Sequence, residues 1–105
     1  MKYNKPRTVW KCALCDIATG VLHEICHGHG NRPIAVQFSI QAPLCTFHHQ
    51  QAHKHKIEYQ EKLFEWLGID MYTTIRAFND KKLRNFLEIN KDHCEERINS
   101  LEVWR

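Results

Sequence analysis

No stretch of this sequence approaches the roughly 18 consecutive apolar residues of a membrane-spanning helix, and its opening MKYNKPRTVWK lacks the apolar core of a secretory signal. A cytoplasmic protein with no membrane partner is expected. A large excess of one charge is also missing. Lys and Arg number 15 against 12 Asp and Glu, a net +3, which speaks against coating nucleic acid by electrostatics alone. Internal repeats and low-complexity tracts are absent, and no helical segment has an obvious base-reading signature. With 105 residues there is room for one domain, so any active site must share a core with its supports.

What is abundant is histidine and cysteine. Eight His and five Cys occur in the chain, most of them between positions 12 and 55. In a reducing compartment an odd number of cysteines that includes a pair two residues apart reads as metal ligation before it reads as a disulfide framework. A thioredoxin-like redox pair is the competing reading of Cys12 and Cys15, but no strand followed by a long helix comes after them.

The punctuation of the chain predicts an α+β fold in three parts: a basic arm over 1–10, a core over 11–68 and a helical extension over 69–105. Residues 12–15 form a knuckle-like turn. Residues 20–25, after a turn at Thr19 and Gly20, read as a short strand carrying His23. Cys26 to Pro33, with two glycines, an Asn and a Pro, reads as a wide loop. Val36, Phe38 and Ile40 alternate strictly, so Ile34 to Leu44 reads as a second strand that could pair with the first. From Thr46 to Leu67, Pro and Gly are absent and Ile57, Leu63, Phe64 and Leu67 recur at near-helical spacing, which predicts one helix of about six turns capped by Gly68. Asp70 is suited to cap a helix over 71–78. Asn79 or Asp80 is suited to cap the first of two further amphipathic segments.

Two constellations carry chemistry. In the first, Cys12 and Cys15 form one pair with two residues between them, and Cys45 and His48 form another. A two-residue gap lets one turn aim both side chains at a single ion, and three thiolates with one imidazole make a closed tetrahedral zinc site. Its role would be structural, tying the ribbon to the start of the long helix. Cys26 and Cys94 have no partner at ligand spacing and read as ordinary thiols. In the second, His49 and His53 stand four residues apart on one helix face. His23 can face the same ion from the strand, leaving open positions for a phosphate oxygen. The plainer reading of residues 48–56 is a solvated basic helix face, and for Lys54, His55 and Lys56 it has the stronger claim. Trp10, Trp66 and Trp104 read as packing residues.

The series Cys12 and Cys15, then Leu22-His23-Glu24-Ile25, then Gly30-Asn31-Arg32, then Pro43-Leu44-Cys45 with His48, His49 and His53 resembles the HNH (ββα-metal, His-Me finger) nuclease superfamily. It is most similar to the short phage and prophage proteins of that group. The match covers roughly residues 10–67. The resemblance implies a metal-dependent DNA endonuclease with a structural Zn2+ on Cys12, Cys15, Cys45 and His48. It implies a catalytic divalent cation, Mg2+, Mn2+, Ni2+ or Zn2+, held by His49 and His53 with His23 from the strand. Many members have two adjacent strand histidines, one on the metal and one activating water, whereas here His23 is followed by Glu24. Either His23 binds metal and Glu24 is the base, or His23 is the base, or the base is missing and the chain is a zinc-stabilised DNA- or protein-binding module. Arg32 could clamp phosphate, with Asn31 shaping its turn, while Lys54, Lys56 and the arm residues Lys2, Lys5 and Arg7 could hold the DNA backbone. The C-terminal helices could serve as a homodimer surface.

Overall fold

The computed structural model describes residues 8–25 and 30–104, of Trp104 the backbone only. Its elements run β1 (Val9–Lys11), β2 (Ala18–Thr19), β3 (Leu22–Glu24), α1 (Asn31–Gln37), β4 (Gln41–Pro43), α2 (Thr46–Lys54), α3 (Lys56–Leu67), α4 (Met71–Asn79), a 3-10 turn (Lys81–Leu83), α5 (Arg84–Asn99) and β5 (Glu102–Trp104). This is a small, mostly helical α+β fold. Residues 1–7 of the basic arm expected over 1–10, and residues 26–29 of the loop expected over 26–33, lie outside the described residues.

The two-stranded ribbon forms as β3 against β4, antiparallel, with His23 opposite Ala42 and Glu24 opposite Gln41. Its second strand is far shorter than the expected Ile34 to Leu44. Residues 31–37 are helix α1, and the burial shows why. Ala35 is wholly buried whereas Val36 is 51% exposed, the reverse of the parity that the alternating Val36, Phe38 and Ile40 suggest. Ile34, Ala35 and Phe38 share one helix face, and Pro33 sits in the first turn, where no backbone donor is needed. The helix closes with Ser39 in the left-handed region, φ 61°. Ser39 N–H donates to Val36 O at 3.3 Å and Ile40 N–H to Ala35 O at 2.9 Å, the paired bonds of a Schellman cap.

The single helix expected from Thr46 to Leu67 is broken at His55, whose φ of −120° and ψ of 64° leave the helical region. No Pro or Gly marks the break. On either side of it, α2 turns Ala52 into the core and α3 turns Leu63, Phe64 and Leu67 into it. Gly68 ends α3 at φ 82°, and Asp70 caps α4 by accepting from the Thr73 amide at 2.8 Å. The tail departs from expectation at both ends. Its last two segments are one turn of 3-10 helix and the single 16-residue α5. Beyond them β5 pairs antiparallel with β1, so Val9 and Trp10, read above as part of an arm, form the middle strand of a β2-β1-β5 sheet. The first and last strands of the described residues are therefore neighbours. Among the described residues no helix is long and apolar enough to cross a membrane.

Candidate metal centres

Cys12 and Cys15 lie in the turn after β1, tightened by Cys12 N–H donating to Ile17 O at 2.9 Å and Leu14 N–H to the Cys12 Sγ at 3.5 Å. Ala13 N–H donates to Pro43 O at 2.8 Å, which docks this turn on the end of β4. Cys45 follows two residues later and is the N-cap of α2, its Sγ accepting from the His48 amide at 3.5 Å. One helical turn thus sets Cys45 and His48 side by side opposite the first pair.

The four ligand atoms lie within 4.8 Å of one another, close enough to hold a metal ion. Cys15 Sγ is 3.8 Å from Cys45 Sγ, and His48 Nδ1 is 3.6 Å from Cys12 Sγ and 3.4 Å from Cys45 Sγ. A tetrahedral ion with bonds of about 2.3 Å to sulfur and about 2.0 Å to nitrogen separates its ligands by about 3.8 Å (S to S) and about 3.5 Å (S to N). The donor set and its spacing fit zinc. Cys12 and Cys45 are buried and Cys15 and His48 half-buried, so the cluster is largely sealed. The thiol protons are unevenly held. At Cys15 the Ile17 backbone works to lower the pKa, but burial and the Cys12 and Cys45 thiols outweigh it and the net shift is upward. At Cys45 burial raises it, yet the His48 amide with the Cys15 and Cys12 hydrogen bonds wins and the net shift is downward. The thiolate at the start of α2 is favoured by the helix amides aimed at it.

Three imidazoles gather beside this cluster. His23 on β3 is buried at 4% exposure, His49 is half-buried and His53 exposed, and their ligand atoms also lie within 4.8 Å of one another. His53 Nε2 is 3.3 Å from His49 Nε2. The His23 ring is 5.2 Å from that of His49 and 5.5 Å from that of His53, both edge-on. Burial lowers the His49 pKa, the His53 charge lowers it further, and Glu24 opposes both. A neutral imidazole is the form that ligates metal. The spacing of four along α2 brings His49 and His53 together, and the ribbon register brings His23 to them.

Successive strand residues point to opposite faces, so Glu24 leaves the ribbon on the side away from His23. There its carboxylate meets Arg32 Nε at 3.2 Å and accepts from Gln41 Nε2 at 3.4 Å. The sequence reading missed Gln41, because nothing pairs residues 24 and 41 until the strand register is known. Asn31 and Arg32 form the first turn of α1, with the Arg32 side chain 76% exposed. Lys54 and Lys56 are exposed on either side of the His55 break. Of the remaining cysteines, Cys94 is fully buried in α5, and burial pushes its thiol up to about 12. Cys26 lies outside the described residues.

Comparison of the chain with protein-family models, with curated proteins and with solved structures finds no match.

Proposed function

We propose that this chain is a metal-dependent DNA endonuclease of the HNH, ββα-metal kind. Cys12, Cys15, Cys45 and His48 hold a structural zinc, and His23, His49 and His53 line the seat of a second divalent cation. The observation that carries the reading is the coupling of the two clusters. A closed set of three sulfurs and a nitrogen orients the first turn of α2, and an open three-nitrogen set begins at the very next residue. A cation in the open seat supplies charge to a phosphate oxygen and makes water more acidic.

The chain's own groups then divide the remaining work. His23 faces the seat, within reach either of the cation or of a water from which it accepts a proton. Glu24 serves as base only after leaving Arg32 and Gln41 and swinging from the opposite face of the ribbon toward the seat. Arg32, Asn31, Lys54 and Lys56 supply backbone contacts without reading sequence. Divalent-metal-dependent nicking of supercoiled plasmid is expected, falling by about 100-fold or more in His23→Ala and in His49→Ala. Activity that survives both substitutions removes this mechanism. Glu24→Gln separates the two candidate bases, since it leaves nicking nearly unchanged where His23 is the base.

The ion pair of Glu24 with Arg32 favours a second reading, in which the scaffold is a zinc-stabilised module that binds DNA or a protein and no longer cleaves. Salt-sensitive DNA binding without cleavage in Mg2+, Mn2+, Ni2+ or Zn2+ is its signature.

A further inference from the structure

Glu24 is placed where chemistry at the cation seat does not account for it. Its side chain leaves the ribbon on the face away from His23 and is 18% exposed. Taking a carboxylate out of water costs free energy unless its oxygens are bonded, and an ion pair with so open an arginine returns little. Folding alone is therefore a poor reason for a carboxylate at this position. Both of its oxygens nevertheless have a donor. Gln41, the buried cross-strand partner of Glu24, donates from Nε2 to Oε2 at 3.4 Å, and Arg32 Nε meets Oε1 at 3.2 Å. The three groups form one line from the interior of the ribbon to the first turn of α1, and it ends in an arginine side chain that is 76% exposed.

A free arginine side chain loses rotamer entropy when a ligand fixes it, and one already held through its Nε has less to lose. The bond to Glu24 restrains the guanidinium plane and occupies its Nε side. The edge made by the two terminal nitrogens has no partner among the described residues, and residues 1–7 and 26–29 contain no Asp or Glu to claim it. That edge matches two oxygens of a phosphate. Resting on the DNA-binding part of the reading above, and not on cleavage, we infer that Glu24 and Gln41 are positioning residues that hold Arg32 with its outer edge presented to a backbone phosphate of bound DNA. In this role Glu24 has to stay on Arg32, whereas as a base it has to leave.

The sign of one substitution tests this. A carboxylate that merely stands near DNA repels it, so Glu24→Gln, which makes the chain more positive, would then tighten binding. A carboxylate that aims Arg32 gives the opposite sign. Binding of a fluorescent DNA duplex to the zinc-loaded full chain is measured by anisotropy over a range of salt concentrations without added divalent cation, and nicking is assayed alongside. Arg32→Ala is expected to weaken binding and to lower the slope of log affinity against log salt by about 0.9. Glu24→Gln is expected to weaken binding by about threefold or more, and the effect to vanish in the Arg32→Ala background. Gln41→Met, which changes no charge and little volume, is expected to act in the same direction and keeps the test open should Glu24→Gln fail to fold. Tighter or unchanged binding in these two variants, or a weakening that persists undiminished without Arg32, overturns the inference. The expected pattern in a chain that nicks with no cation upholds it and removes only the nuclease step. A parent chain without salt-sensitive DNA binding overturns both.

Discussion

The half of the molecule around the Cys and His clusters and the half built from α3 to α5 are held together in different ways. In the first, the strands are two or three residues long, too short to stand by themselves, and two of the core residues are the ligands Cys12 and Cys45. In the second, Leu63, Phe64, Leu67, Ala77, Phe78 and Leu87 interlock, and side chains close the helix ends. Arg97 donates twice to Trp66 O, at 3.0 and 2.7 Å, and its guanidinium lies 5.0 Å from the Trp66 ring. His93 Nε2 meets Leu67 O at 2.8 Å, and Arg84 donates to Ala77 O at 2.8 Å and Phe78 O at 3.0 Å. These bonds occupy carbonyls that α3 and α4 leave without partners. The apolar cluster is common to both halves, the first adding Ile25, Phe38, Ile40 and Leu44 to it; what sets them apart is that the first adds a convergence of ligands and the second adds caps.

The comparison breaks most readily at the metal. If zinc organises the first half, a strong chelator removes a contribution on the order of 10 kcal/mol. The strands and α2 are then expected to lose their structure while α4 and α5 keep much of their helical signal. Circular dichroism alongside metal analysis reads this, and Cys45→Ser should mimic it. An unchanged melting curve after complete metal removal would leave the first half without the support proposed for it. A smaller effect sharpens the other side. Leu87 is fully buried in α5, and Leu87→Ala should cost about 2–5 kcal/mol in chemical denaturation with the zinc content per folded chain unchanged. Loss of zinc from the still-folded variant would mean that the two halves do not stand apart.

Legibility in the sequence divides along the same line. The sealed cluster could be read from spacing alone, because a two-residue gap constrains a turn whatever the rest of the chain does. The open cluster needed one further step, the pairing of β3 with β4 that sets His23 beside His49 and His53. Caps were equally legible at Gly68 and Asp70, where the residue types answer to a local backbone need. Residues 34–40 were misread because a short apolar alternation is compatible with both periods, and packing of Ile34, Ala35 and Phe38 decided for helix. The break at His55 carries no Pro or Gly to announce it, and the pairing of β5 with β1 is settled by contacts distant in sequence. The Glu24, Arg32 and Gln41 group was hidden for the same reason.

The smallest expected effect separates the halves by pH. The Thr73 hydroxyl, at 2.6 Å, and the Thr73 amide hold the Asp70 carboxyl below the ordinary carboxylate value. A group whose pKa is lower in the native state stabilises it fully above the unfolded value, about 3.9, and loses that contribution as pH falls through the native one. The metal ligands also bind protons in acid, and protonation releases their ion. Acid titration should therefore show metal release, read by a zinc indicator, and a separate loss of helix below about pH 4, read by circular dichroism. Asp70→Asn keeps an oxygen to accept from the Thr73 amide but carries no charge, so it should flatten part of the second change and leave the first where it was. A shift of the metal-release curve in Asp70→Asn would show that the cap of α4 and the Cys and His clusters answer to one cooperative unit, and the contrast between the halves would then be one of composition, with no separate stability behind it.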